Sequence, residues 1–291
     1  MKILVIGSEG NIGKKLVSYL MECEHYIYKA DIVQGYGNRY SVVDINKPID
    51  LYNVFSSFRP DVVYNLAAMV SRITCEASPG LTIDTNISGA NNVIQLCKTF
   101  EVKLISFSTS EVYGNIGGVL SEDRKCEPNN IYGLSKLLGE EIVKYEVKNG
   151  LKAVIVRPFM FYDEDETRGE HRSVMIRFAE ALSKKEKITV HSNAERSWMH
   201  ISDGVKILEK LMYIDFNIVN IAHPEVVDIK YIALKMCKLL RLCYEQYVEE
   251  TELPPKMTLT KIPDIKKQTK LTGVIPEIDI EKGIELVLKS I

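Results

Sequence analysis

Two short stretches, far apart in the chain, carry the residue types with which a sugar alcohol can be oxidised. Thr109-Ser110-Glu111-Val112-Tyr113-Gly114 supplies a hydroxyl and a carboxylate, and Tyr132-Gly133-Leu134-Ser135-Lys136 a phenol and an ammonium. On a helix, Tyr132 and Lys136 fall on the same face. An ammonium beside a phenol favours the phenolate and lowers a pKa that is otherwise about 10. A phenol tuned in this way takes a proton from a substrate hydroxyl near neutral pH. Tyrosine and lysine at this spacing are common in helices. The reading therefore rests on the elements that position them.

The first of those elements is the opening of the chain. Lys2-Ile3-Leu4-Val5-Ile6 is a short apolar run of the kind found in buried parallel strands. It runs into Gly7-Ser8-Glu9-Gly10-Asn11-Ile12-Gly13, after which Lys14 to Met21 has the pattern of an amphipathic helix. Strand, glycine-rich turn and helix together form an anion cradle. Glycine permits a tight turn and close approach to a pyrophosphate, and the helix start offers unpaired N–H groups. The spacing is G-x-x-G-x-x-G, a variant of the usual dinucleotide fingerprint. A second strand, Tyr26 to Ala30, ends at Asp31, eighteen residues past Gly13. A carboxylate there accepts hydrogen bonds from ribose hydroxyls and repels a 2′-phosphate, which favours NAD over NADP.

Composition bounds the rest. The chain has 291 residues, 46% hydrophobic and 26% charged, with a net charge of −2. These are the proportions of an ordinary globular protein with a sizeable core. The near-neutral balance carries no footprint for a nucleic acid polymer or an acidic membrane. The six cysteines (23, 75, 97, 126, 237 and 243) form no C-x-x-C pair, so neither a disulfide framework nor a metal site is expected. His171, His191, His200 and His223 likewise lack metal-ligand spacing. With no signal-like segment and no long apolar run, the expected location is the cytoplasm.

Strand-like and helix-like segments alternate for two-thirds of the chain. Asp61 to Ala68, Val102 to Phe107, Lys152 to Val156 and Asn217 to Ala222 read as strands; Pro79 to Phe100, Ile131 to Lys148, Arg172 to Lys184 and Ser202 to Tyr213 read as helices. This order implies an α/β fold with a doubly wound parallel sheet, ligands lying at the carboxyl ends of its strands. The last seventy residues read as helix-rich with short strand-like pieces at Tyr247-Val248 and Met257 to Thr260, a smaller cap without a parallel sheet of its own. Residues 1–160 and 199–222 are assigned to the cofactor domain, 161–198 and 223–291 to the cap.

In these motifs the chain resembles the extended short-chain dehydrogenase/reductases that act on nucleotide sugars, the NAD-dependent epimerase/dehydratase group. Gly7, Gly10 and Gly13 match that family's phosphate loop, with Asn11 and Ile12 inside it, and Asp31 its ribose acid. Asp44-Ile45 match the pair beside the adenine, Asn65-Leu66-Ala67-Ala68 the turn beside the cofactor, and Asn86 a position on the next helix. Thr109 takes the hydroxyl position, Tyr132 and Lys136 the catalytic pair, and Arg157-Pro158-Phe159 the entry to the substrate half. Arg196 to Asp203, Asn220-Ile221-Ala222 and Asp264 to Gly273 match later landmarks. The resemblance implies a Rossmann-type fold with a small C-terminal substrate-binding cap, bound NAD and a nucleotide-diphosphate sugar as substrate. It also implies a homodimer packed through the helices around residues 86–100 and 131–148.

By the same resemblance, Tyr132 deprotonates the hydroxyl on carbon 4, Thr109 bonds the same oxygen, and Lys136 holds the nicotinamide ribose and, with the cationic ring of NAD, keeps Tyr132 acidic. The run Thr109-Ser110-Glu111 is similar to that of 4,6-dehydratases and UDP-glucuronate decarboxylases, whereas simple 4-epimerases carry a small residue in place of Glu111. Glu111 is thus expected to be the carbon-5 base, with Ser110 near the departing oxygen. Elimination of water or carbon dioxide is the leading expectation. The alternatives are 4-epimerisation, simple carbon-4 oxidation, or an NAD-binding sensor without catalysis.

The chain departs from the family where an asparagine usually binds the diphosphate; Met160 stands there, and a thioether donates no hydrogen bond. Arg168, Arg172, Arg196 and Lys261 are the candidate replacements, each set against the ordinary alternative of a solvated surface cation. Met69, just past the cofactor turn, is also placed on the substrate side. The segment 163–170 holds five acids against one arginine and is expected to face away from a dianionic substrate. His200 and Trp198 are expected to be structural.

Overall fold

The computed structural model describes residues 1–167, 173–191, 193–252 and 260–291. The chain opens with β1 (Lys2–Ile6), α1 (Asn11–Glu22), β2 (Tyr26–Asp31), β3 (Tyr40–Val42), α2 (Pro48–Phe58) and β4 (Val62–Asn65). Helices α3 (Arg72–Ala77), α4 (Pro79–Ile83) and α5 (Ala90–Thr99) lead to β5 (Lys103–Phe107), β6 (Val119–Leu120), α6 (Ile131–Lys148) and β7 (Ala153–Pro158). Next come β8 (Met160–Tyr162), α7 (Val174–Ser183), β9 (Ile188–His191), β10 (Glu195–His200), α8 (Ile201–Leu211) and β11 (Ile218–Ile221). The chain closes with β12 (Val226–Asp228), α9 (Ile229–Leu240), α10 (Tyr244–Tyr247), β13 (Val248–Thr251), β14 (Thr260–Pro263), α11 (Lys266–Thr272) and α12 (Ile280–Lys289).

Seven strands form a parallel sheet in the order β11-β7-β5-β4-β1-β2-β3. The order reverses between β1 and β4, which opens a crevice at their carboxyl ends where such sheets bind ligands. The strands are apolar on both faces because both faces are covered. On one side Ile3, Val5, Ile105 and Val154 pack with Leu16 and Leu20 of α1 and Val205 and Leu208 of α8. On the other, Leu4, Ile6, Val63 and Leu104 pack with Phe55 of α2, Val93 of α5 and Val143 of α6. Each such side chain contributes roughly 1.5–3 kcal/mol by leaving water.

Two expectations change. The helix read from Pro79 to Phe100 is continuous but contains a π-helical turn at Asp84–Gly89 between α4 and α5. One extra residue per turn sets Thr85 on the wall of the crevice and turns the Asn86 side chain toward α6. The last seventy residues, expected to lack a parallel sheet of their own, contribute β12, β13 and β14 to two small sheets with parallel pairs. One runs β12-β10-β14-β6 with β8 also on β10, and its β14–β10, β14–β6 and β8–β10 pairs are parallel; the other pairs β13 with β9. Two- to six-residue strands at this spacing carry too little periodic signal to separate from loop. A further core of Met175, Ile176, Trp198, Ile232, Met236 and Ile284 joins these strands to α7, α9 and α12.

Candidate active site

A cavity of about 690 Å³ follows the crevice from Asp31, Asp44 and Ile45 past Gly7, Gly10, Asn11, Ile12 and Gly13. It continues along Leu66, Ala67 and Ala68 to Thr109, Tyr132, Lys136 and Pro158. The glycines are required by contact. A Cβ on Gly13 would lie 2.2 Å from the Gly7 carbonyl oxygen, and one on Gly7, whose φ is +85°, 2.8 Å from the Ala67 nitrogen. The α1 N-terminus at Gly10 has no side-chain cap, whereas Asn130, Ser173 and Asp279 cap α6, α7 and α12. Its first N–H groups are therefore left for an anion. Asp31 is oriented by the Glu9 N–H, 2.8 Å from Oδ2. Acid at one end, bare helix start in the middle and Tyr132 with Lys136 at the other fit a dinucleotide.

Tyr132 lines the cavity beside Thr109, whose Oγ1 accepts from the Glu111 N–H at 3.2 Å. Burial pushes the phenol well above its usual pKa, against the Thr109 bond, and the Glu111 charge adds to the rise. Burial pushes the Lys136 ammonium down to about 8, against Glu140 one helical turn away. For the chain's own residues desolvation sets the direction at both groups, so the expected acidification of Tyr132 rests on the NAD ring as well as on Lys136.

Glu111 lies outside the cavity lining, half-buried between two elements. One carboxylate oxygen is paired with the Lys261 ammonium of β14, and the other accepts from the Asn130 amide at 3.0 Å. Burial raises its pKa, but the Lys261 charge and bond, then Asn130 and Arg72, hold it below the usual range. Lys261 is 1% exposed and Arg196 6%. They are register partners on the adjacent parallel strands β14 and β10. Both are buried and lie near the partly exposed Arg72, not on a solvated surface. Arg168 and Arg172 lie outside the described residues.

Other assigned residues take supporting places. Asn86 is not on the cavity wall; its amide bonds the Met69 backbone both ways (2.8 and 3.0 Å) and Ser135 Oγ at 3.0 Å, fixing the turn after β4 to α6. Met69 is thus held through its backbone, away from the cavity lining. Ser110 is buried in the turn after β5. Met160 does line the cavity.

The described part of the acidic segment packs on α1, and Glu166 also lies on the cavity wall. Lys15 lies 2.9 Å from Asp165, 3.5 Å from Asp163 and 3.8 Å from Glu164, and Thr167 donates to Asn11 Oδ1. His200 is buried: Nδ1 accepts from the Ser202 N–H, which leaves Nε2 to donate to Glu164 at 2.7 Å. Trp198 is buried edge-on against Tyr162. Sequence reasoning missed Arg72 and Asn130. Asn130 had a signal, a capping residue at the start of the Tyr132 helix; Arg72 had none, since only the fold brings it to Glu111.

Residues 3–222 match the profile of the NAD-dependent epimerase/dehydratase family. The chain is 28% identical over 311 residues to UDP-glucuronic acid decarboxylase 6 of Arabidopsis thaliana, covering 99% of this chain and 88% of that one. It is 25% identical over 317 residues to the UDP-N-acetyl-alpha-D-glucosaminuronate decarboxylase of Bacillus cytotoxicus, covering 98% and 95%. The crystal structure of UDP-glucose 4-epimerase with UDP-glucose from Thermotoga maritima superposes with a TM-score of 0.93 at 22% identity, over 100% of this chain and 98% of that one.

Proposed function

The chain belongs to the NAD-dependent epimerase/dehydratase family, and from the geometry of its site we propose that it oxidises carbon 4 of a nucleotide-diphosphate sugar acid and then releases the sugar's carboxylate as carbon dioxide. The observation that carries the proposal is the buried pair Lys261 and Arg196, with the partly exposed Arg72, around Glu111, next to Thr109 and Tyr132.

Gly7, Gly10, Asn11, Ile12 and Gly13 would hold the pyrophosphate of NAD, Asp31 the adenosine ribose, Asp44 and Ile45 the adenine, and Lys136 the nicotinamide ribose. When bound, NAD supplies the hydride acceptor and a cationic ring that favours the Tyr132 phenolate. Tyr132 takes the proton from the carbon-4 hydroxyl, with Thr109 bonded to the same oxygen. The carbon-4 ketone is then β to the carboxylate on carbon 5. The electrons of the bond to that carboxylate can pass into the ketone as carbon dioxide departs, and carbon 5 afterwards gains a proton.

That route needs no base at carbon 5. Loss of water does need one, and Glu111 is clamped by Lys261 and Asn130 and held at low pKa, a poor state for a base. Cationic side chains at this end of the site also suit a substrate with an extra negative charge. Decarboxylation is the reaction named for the Arabidopsis and Bacillus relatives. Residues 1–160 and 199–222 would serve the cofactor, 161–198 and 223–291 the substrate. Exposed Leu134, Leu138 and Tyr145 of α6 with Leu81 and Ile83 of α4 support a homodimer through these helices.

The test is to incubate protein and NAD with a panel of nucleotide sugars and nucleotide uronates and to record product masses. Loss of carbon dioxide from a uronate supports the proposal. Loss of one water would return Glu111 to the role of carbon-5 base, and an isomer of unchanged mass would make the protein an epimerase.

A further inference from the structure

We propose that Asn130 is a positioning residue for Tyr132, and that it takes its own place from Glu111 and, through Glu111, from Lys261. The inference rests on the reading of Tyr132 as the group that takes the substrate proton. It adds a linkage between the strand carrying Lys261 and the helix carrying Tyr132.

Asn130 is buried at the N-cap of α6 with an extended backbone, and its Oδ1 accepts from the Gly133 N–H at 2.8 Å. That bond alone is ordinary capping, which serine or aspartate performs as well. The other arm of the amide is what capping does not require: Nδ2 donates to Glu111 Oε2 at 3.0 Å. Asparagine accepts from the helix with one atom and donates to the carboxylate with another, a span that the single oxygen of a serine hydroxyl does not have.

The two segments joined in this way also press on one another. A Cβ on Gly133 would lie 2.6 Å from the Glu111 carbonyl oxygen, so the first turn of α6 rests directly on the turn after β5. Tyr132 and Thr109 belong to those same two segments, and their hydrogen bond is set by how the segments meet. Glu111's remaining oxygen is on Lys261, whose register partner is Arg196. An anion drawn to this basic pair competes with Glu111 for Lys261. Its arrival reaches α6 through two bonds, Lys261 to Glu111 and Asn130 to Glu111.

Asn130→Asp and Asn130→Ser both keep a cap acceptor and lose the amide donor to Glu111. The expected result is a fall in kcat of about ten- to a hundredfold, the scale of a small misplacement of reacting groups, with KM moved by less than about threefold. Glu111 is faced by Lys261 from β14, Arg196 from β10, Arg72 from α3, and Tyr132 and Asn130 at the start of α6. In Asn130→Asp a second carboxylate joins them, so the acid limb of kcat moves to higher pH, while in Asn130→Ser it stays. Variants that keep kcat within about twofold and leave the limb in place overturn the proposal.

A substrate-free measurement separates this from the assignment of the reaction. Amide hydrogen exchange at Gly133 should quicken in Lys261→Met and remain slow in Lys261→Arg, which keeps a partner for Glu111. Unchanged exchange in Lys261→Met overturns the linkage. Should the wild type turn over no nucleotide sugar, the proposed reaction fails while the exchange result still decides the linkage.

Discussion

Arg157 holds Glu140 by two bonds, Nε to Oε1 at 2.8 Å and Nη2 to Oε2 at 2.7 Å, with side chains 2% and 1% exposed. Arg157 also donates to the Tyr113 hydroxyl at 3.0 Å, and Ser108, beside Thr109, donates to Glu140. Glu140 is one helical turn from Lys136, so this pair supports the face of α6 that carries the proposed chemistry. A buried pair adds little over apolar residues of equal volume, but removing one partner strands the other.

Glu140→Gln should therefore cost about 3–5 kcal/mol in denaturant unfolding. It should also lower the Lys136 pKa further, since Glu140 is what opposes the effect of burial there. A loss below about 1 kcal/mol, the range of exposed pairs, would mean that Arg157 finds water when Glu140 is neutral.

Lys136 is itself a stability cost. Its folded pKa of about 8 lies below the ordinary lysine value of 10.5. Between those values the unfolded chain binds the proton and the folded chain does not, so stability rises with pH across that window. Below about pH 8 both states are protonated and the penalty is present in full. Lys136→Met should raise the stability of the cofactor-free protein at pH 7 by roughly 1–3 kcal/mol while abolishing turnover. It should also flatten the rise above pH 8. Equal or lower stability of the variant would show that the ammonium is solvated.

The parts of this molecule legible from sequence are those where one local pattern decides the structure. The β1–turn–α1 cradle is such a case, because Gly13 is required by the backbone of Gly7 and Ser8 a few residues away. Tyr132 and Lys136 share a helix face by spacing and gain meaning from that cradle. Arg72, Arg196 and Lys261 were not legible as a cluster, because they come from three separate elements and meet only when β14 pairs with β10. The Tyr132 shift set by the chain's own residues was not legible for a related reason: spacing gives proximity to an ammonium, whereas desolvation depends on everything packed above it.

Asp31 should set the cofactor preference. Its carboxylate, oriented by the Glu9 N–H, faces the crevice where the adenosine ribose would lie. Asp31→Asn keeps the shape and removes the charge that opposes a 2′-phosphate. The ratio of NADP to NAD affinity should rise about tenfold, chiefly by tighter NADP binding. Titration of both dinucleotides by protein fluorescence measures it. An unchanged ratio would place the discrimination elsewhere.

Glu111 and Lys261 make an acid-stability prediction. The Glu111 carboxyl is raised by burial, but Lys261, Asn130 and Arg72 outweigh this and its folded pKa is depressed. The stability it contributes is present above the unfolded value of about 4.3 and is lost as pH falls through the folded value. Glu111→Gln leaves Lys261 without its counter-ion at every pH. It should be less stable than wild type by roughly 1–3 kcal/mol at pH 7, with the difference constant down to about pH 4.3 and closing below that. Glu111→Gln combined with Lys261→Met should recover most of the loss, because the uncompensated charge is then gone. Unfolding curves for the three proteins from pH 7 to pH 3 check this. If Glu111→Gln matched wild type at pH 7, the ion pair would not hold in solution, and the low pKa that argues against Glu111 as a carbon-5 base would lose its cause.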